Sequence, residues 1–277
     1  MGIVSSKRLW FSDIRSSNDP REIIFGIGQI RRVASKVLAE NSERWSTDLL
    51  QAELNRAFQT IKNTSYFCCC FSPLGDHLPM WRSYANTGDG IAIGFRARAL
   101  YDLYGRFNKV DYFPEAEADL SADLKLKDVI EEILARASSY RVAMTVEQSM
   151  AFAVEIISRS TSIKHDSWEY EKEIRCVYSQ TDQSAQPVNR ILPTSLSANG
   201  SEVGPFEVKY RQSGNAKIGY LEFEYGKSNG SNFDPSGAIS RVVVGPKSSL
   251  DVPQVRALLN SEGFINFEVS ESSCSWR

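Results

Sequence analysis

At 277 residues the chain can build one large domain or two modest ones, and 42% hydrophobic with 24% charged residues is an ordinary globular composition. A formal net charge of -2 argues against a duplex-binding basic surface, although a local cleft for nucleic acid need not show in the total. No apolar run is long enough to span a bilayer and no secretory signal opens the chain, so a cytoplasmic protein without membrane contact is expected.

From the N-terminus, Leu9 to Ser12 reads as a short strand and Arg15 to Asp19 as a polar turn. Asp19-Pro20-Arg21-Glu22 has the form of a helix start, with Asp19 as N-cap, Pro20 first in the helix and Glu22 as the reciprocal capping partner. Ile23, Ile30, Val33 and Val37 recur at helical spacing and carry that helix to about Glu40. A second helix is predicted over Thr47 to Ile61. Tyr66-Phe67-Cys68-Cys69-Cys70-Phe71 reads as a buried strand whose three adjacent thiols act as small apolar residues. Adjacent cysteines and only two histidines, His77 and His165, lack the spacing of a zinc site, so no metal is expected.

The loop Ser72 to Pro79 is followed by one helical turn, Met80 to Ala85, then the turn Asn86 to Gly90 and a buried strand, Ile91 to Phe95. Long helices are predicted over Leu124 to Ala143 and Val146 to Ser162. Residues 180–204 turn to Ser, Asn, Gln, Pro and Gly, the composition of a long loop. Phe206 to Tyr210, Gly219 to Tyr225 and Ile239 to Val244 read as strands; Asp251 caps a last helix through Glu262, and Asn266 to Val269 closes as a strand. Strands scattered among helices without regular alternation favour one α+β domain over residues 1–277 rather than a doubly wound parallel sheet.

The segment richest in chemistry is Trp168-Glu169-Tyr170-Glu171-Lys172-Glu173-Ile174-Arg175, which runs into the strand formers Cys176, Val177 and Tyr178. Read as one strand, its period of two sets Glu171, Glu173 and Arg175 on one face. One glutamate could then pair with Arg175 while the other stays free for a ligand hydroxyl; the plainer reading is a structural Glu–Arg pair. Other motifs are discounted. Gly26-Ile27-Gly28 lacks a third glycine and lies inside a helix, so it is no dinucleotide loop. Met1 to Ser6 fits the myristoylation pattern only loosely. Asp76-His77 and His165-Asp166-Ser167 contain triad residue types as loop neighbours, without triad geometry. Trp81 and Tyr84, three apart on a short helix, read first as core packing.

Leu9-Trp10-Phe11-Ser12-Asp13-Ile14 with Asn18 to Glu22, Cys70-Phe71-Ser72 with Leu78 to Tyr84 and Gly90 to Phe95, and Trp168 to Arg175 together resemble the bacterial family called domain of unknown function 2971. Val242-Val243-Val244-Gly245-Pro246 fits as well. The family's layout is similar in turn to that of ADP-ribosyltransferases of the DNA-targeting toxin branch. That likeness implies a split mixed β-sheet with flanking helices that clamps NAD, and transfer of ADP-ribose to an unknown macromolecular acceptor, protein or nucleic acid, by a toxin or anti-phage effector. By this resemblance Glu173 would be catalytic and Glu171 its companion. Tyr84 or Trp81 would stack on nicotinamide, and Arg175 and Ser12 would complete the NAD site. Relatives of this kind open with a His-Tyr-Thr-like strand ahead of the Leu-Trp-Phe-Ser segment. No such segment precedes Leu9 here, which implies either a longer chain upstream or a member that binds a nucleotide, nucleic acid or partner without catalysis.

Overall fold

The structure, a computed structural model, describes residues 2–16, 19, 21–101, 103–115, 120–140, 144–181, 205–226 and 233–275. Its frame is a six-stranded antiparallel sheet. The strands are β1 (Arg8–Asp13), β2 (Thr64–Phe71), β4 (Arg106–Lys109), β7 (Ile174–Thr181), β8 (Lys209–Ser213) and β9 (Ala216–Glu224), in the order β4-β7-β2-β1-β9-β8. The cysteine-rich β2 is central because it can be buried on both faces, and all eight of its residues pair with β7, from Thr64 opposite Thr181 to Phe71 opposite Ile174. A second sheet joins β3 (Ile91–Phe95), β10 (Ile239–Val244) and β11 (Glu268–Glu271), with β10 antiparallel to β3 and parallel to β11. A short parallel pair links β5 (Asp111–Phe113) to β6 (Ile163–His165).

The helices are α1 (Gly2–Ser6), α2 (Glu22–Glu40), α3 (Thr47–Lys62), α4 (Leu78–Tyr84), α5 (Ala97–Leu100), α6 (Leu120–Ser138), α7 (Val146–Ser160) and α8 (Val252–Ser261). Two apolar clusters sit on opposite faces of the large sheet. On one face α2, α3, α6 and α7 pack Ile30, Val33, Leu54, Phe58, Ile130 and Ile156 against Tyr66 and Cys68 of β2. On the other, Phe11, Phe67, Tyr178 and Phe223 meet Val242 and Val244 of the second sheet and Leu259 of α8. The period of two in β2 and β7 makes this double burial possible, since alternate residues serve alternate clusters.

The α+β expectation is met. The large sheet, however, is wholly antiparallel, and the mixed pairing lies in the second sheet. Strand Ile91–Phe95 and strand Ile239–Val244 stand where the sequence puts them. The last helix has its capping box, Asp251 accepting from the Gln254 N–H. Two expectations need correction here. Helix α2 begins at Glu22 after Arg21, and Asp19 accepts the Arg21 N–H in a turn rather than capping the helix; Asn18 and Pro20 lie outside the described residues. The strand expected at Phe206 starts only at Lys209. Strands β4, β5 and β6 were not legible, because four- and three-residue strands fall below the length at which alternation can be read. Most of the loop expected at 180–204 lies outside the described residues, while Gln180 and Thr181 finish β7.

Candidate functional site

The segment Trp168 to Arg175 is not one strand. Asp166–Glu171 forms a 3-10 turn, with the His165 ring accepting the Ser167 N–H. Lys172 then takes a left-handed conformation, φ 46°, and β7 begins only at Ile174. Asp and Ser near the start favour such local turns over a ladder. The reversal at Lys172 nonetheless sends Glu171, Glu173 and Arg175 to one place, all with 3% exposure or less.

Two residues that sequence reasoning missed complete the cluster. Glu22, first in α2, and Lys164, in β6, are equally buried. The Arg175 guanidinium donates through Nε to Glu173 (2.7 Å), through its terminal nitrogens to Glu173 (2.9 Å) and Glu22 (2.7 Å), and to the Thr161 carbonyl (2.7 Å). The Lys164 ammonium reaches Glu171 at 2.7 Å, Glu173 at 3.1 Å and Glu22 at 3.3 Å. The Glu173 backbone N–H donates to the Tyr112 hydroxyl at 2.8 Å, and the Glu171 carbonyl accepts from the Ser72 hydroxyl at 2.7 Å. Glu22 was detectable in principle: it falls in helical register with Gly26, Ile30, Val33 and Val37, a charge in line with a buried stripe. Lys164 carries no comparable local signal.

The electrostatics follow from burial. Desolvation opposes charge on Glu173, but the Arg175 charge and hydrogen bonds, with Lys164 beside them, outweigh it and hold its pKa at about 2. Burial likewise works against the Lys164 ammonium, and the three surrounding carboxylates overcome it, raising its pKa. The Tyr112 phenol is pushed up to about 12, first by burial and then by the neighbouring glutamates. Three carboxylates against two cations leave the cluster one negative charge in excess among the described residues. Glu173 is fully engaged by cations, whereas the Glu171 carboxylate meets, among the described residues, only Lys164 and, from the surface side, the Tyr84 hydroxyl, which donates to it.

That surface side is aromatic. Tyr84 is 52% exposed at the end of α4. Trp168 and Tyr170 lie 6.1 Å apart between ring centroids, with the Lys164 ammonium 4.9 Å from the Trp168 ring. Ser83 and Tyr170 share a hydrogen bond across the mouth at 3.3 Å. Of the two aromatic residues expected to stack on a ligand, only Tyr84 is at the surface. Trp81 is 3% exposed, and its indole N–H donates to Asp76 at 2.7 Å. Ser12 shares the helix-facing side of the large sheet, opposite Cys68 on the strand between β1 and β7, and its hydroxyl accepts from Arg211 at 3.4 Å rather than from the cluster. Glu171 is not the free carboxylate that a simple strand face suggested. Nor are the three cysteines uniformly buried: Cys68 is buried, Cys69 half-buried and Cys70 exposed, with the Cys68 and Cys70 sulfurs 3.9 Å apart on one face.

Residues 80–176 match the family model described as "Protein of unknown function (DUF2971)". The matched segment runs from α4 to the start of β7 and so contains Tyr84, Lys164, Glu171, Glu173 and Arg175. No curated protein and no solved structure matches the chain. Among the described residues, no helix is long and apolar enough to cross a membrane.

Proposed function

We propose that the protein binds a nucleotide at the mouth formed by Tyr84, Trp168, Tyr170 and Glu171, with NAD as the first ligand to test. The observation that carries this reading is the half-exposed Tyr84, whose hydroxyl covers the least compensated carboxylate of a buried, net-negative cluster. A planar, positively charged ring such as nicotinamide suits aromatic faces over surplus negative charge. A ribose hydroxyl could replace the Tyr84 hydroxyl as donor to Glu171. Glu173 and Arg175 hold the floor in this reading, since both are enclosed and fully paired.

Transfer of ADP-ribose to a macromolecular acceptor is the second reading, favoured by the convergence of Glu171 and Glu173. Cleaving the nicotinamide–ribose bond builds positive charge on the ribose, and a carboxylate that binds more tightly as the charge grows accelerates the step. Calorimetric titration with NAD and chromatography for released nicotinamide, on wild type, Tyr84→Phe and Glu171→Gln, distinguish the outcomes. Binding without release, weakened in Glu171→Gln and kept in Tyr84→Phe, supports the binding module. Release lost in Glu171→Gln supports the transferase. No heat and no nicotinamide from a folded wild type would end both.

A further inference from the structure

We infer that the open edge of β4 is a docking slot for an extended acidic peptide, which would add to the large sheet as a further strand. In the strand order β4 is terminal, so one of its edges has no partner strand among the described residues. Which backbone groups face that edge follows from two hydrogen bonds. The Val110 N–H donates inward to the Glu173 carbonyl, and the next, Asp111, donates outward to the Ser162 carbonyl. Because successive N–H groups alternate along a strand, Phe107 and Lys109 point their N–H and C=O groups outward, on the side that β6 occupies farther along. The chain from Arg106 to Phe113 is thus paired outward only in its second half, where β5 meets β6. The first half is open among the described residues.

A built groove lies beside it. The space of about 340 Å³ is walled by Arg106 to Lys109 on one side and by Glu155, Ser158 and Arg159 of α7 on the other. It runs on into a second hollow of about 450 Å³ that shares Arg106 and Glu155 and adds Glu147 with the apolar Met150, Ala151 and Val154. Its charge is one-sided in effect. The acids beside the strand are already engaged, Glu155 by Arg136 and Asp111 by Lys125, and Glu147 of the second hollow is held by the Thr145 hydroxyl at the start of α7. Arg106, Lys109 and Arg159 have no ion-pair partner among the described residues. Unpaired strand groups flanked by unanswered cations fit a peptide backbone carrying carboxylates at alternate positions. Nucleic acid would answer the cations but not the backbone donors and acceptors of Phe107 and Lys109. A second copy of this chain, with a formal net charge of -2, is the occupant that the sedimentation arm of the test detects.

The test is fluorescence anisotropy of a labelled peptide of alternating valine and aspartate against the full chain, together with amide hydrogen exchange. We expect saturable binding that weakens at least about tenfold for Arg106→Glu with Arg159→Glu, with similar weakening for a peptide N-methylated at alternate residues. The Phe107 and Lys109 amides should gain protection on binding. The N-methylated peptide keeps the test valid if the double variant fails to fold. The inference is overturned by no binding at millimolar peptide, by indifference to N-methylation, or by unchanged exchange at those two amides. It is also overturned if oligothymidylate of equal length competes fully, or if sedimentation shows a dimer that the peptide does not dissociate.

Discussion

Glu173 ties stability to pH. Its pKa falls from an ordinary 4.5 to about 2 in the folded protein, so the unfolded chain binds its proton first as pH drops. The stabilisation is therefore complete above about pH 4.5 and lost as pH falls towards 2, a difference of about 3 kcal/mol for this group. Urea unfolding at pH 6 and pH 3 should show about 2 kcal/mol of that loss, and Glu173→Gln should flatten it. At neutral pH the same variant weakens the hydrogen bonds that Arg175 and Lys164 donate to Glu173, while Glu22 and Glu171 still balance their charge, and should cost about 1–3 kcal/mol. A variant with unchanged stability would mean that the cluster is hydrated in solution. Tyr84→Phe is the complementary change. With half its surface exposed, it should leave the melting temperature within a degree or two and nucleotide binding undiminished, because the ring stays and only the hydroxyl that the ligand displaces from Glu171 is removed.

At the level of elements, the cluster depends on how closely α2 and α7 approach. A Cβ added at Gly26 would stand 2.1 Å from the Ser160 carbonyl oxygen, backbone that cannot swing aside. Gly26→Ala should therefore destabilise the protein by more than about 2 kcal/mol, despite the better helix propensity of alanine. Gly28→Ala, with open space around it, should be neutral or mildly stabilising, so the pair of melting curves isolates the contact. Glu22 begins α2 and Lys164 follows the α7 turn, so separating those helices would also draw Glu22 away from Lys164 and Arg175, the cations that neutralise Glu171 and Glu173.

For the molecule as a whole, the C-terminal segment fastens the mouth. Asp76 accepts from the Trp81 indole, from the Ser272 hydroxyl at 2.6 Å, and from the Ser273 N–H and hydroxyl at 2.6 and 2.8 Å. Burial disfavours its charge, but these donors together hold its pKa below the usual carboxylate range. Asp76→Ala should free the segment after β11 and loosen α4, which carries Tyr84. Limited proteolysis would report this as faster cleavage near Ser272, and nucleotide affinity should fall without any change at the ligand-facing residues. Equal cleavage rates would show that the tail is held by β11 alone.

Much of the fold was legible, and the reasons are local. The stripe Ile30, Val33, Val37, the run Ile91–Phe95, the Asp251 cap and the cysteine-rich strand all express periodicity or capping within a few residues. The residue types of the site were legible too, since Glu171, Glu173 and Arg175 do converge. Their partners were not. Glu22 stands 153 residues from Arg175, and Lys164 approaches from a strand of three residues, so no spacing in the chain announces either. Nor could sequence separate Tyr84 from Trp81, which differ only in the side of α4 they occupy once the tail has docked. Short-range order is written in neighbouring residues, whereas the ionisation and access of a carboxylate depend on charges that only packing brings within a few ångströms.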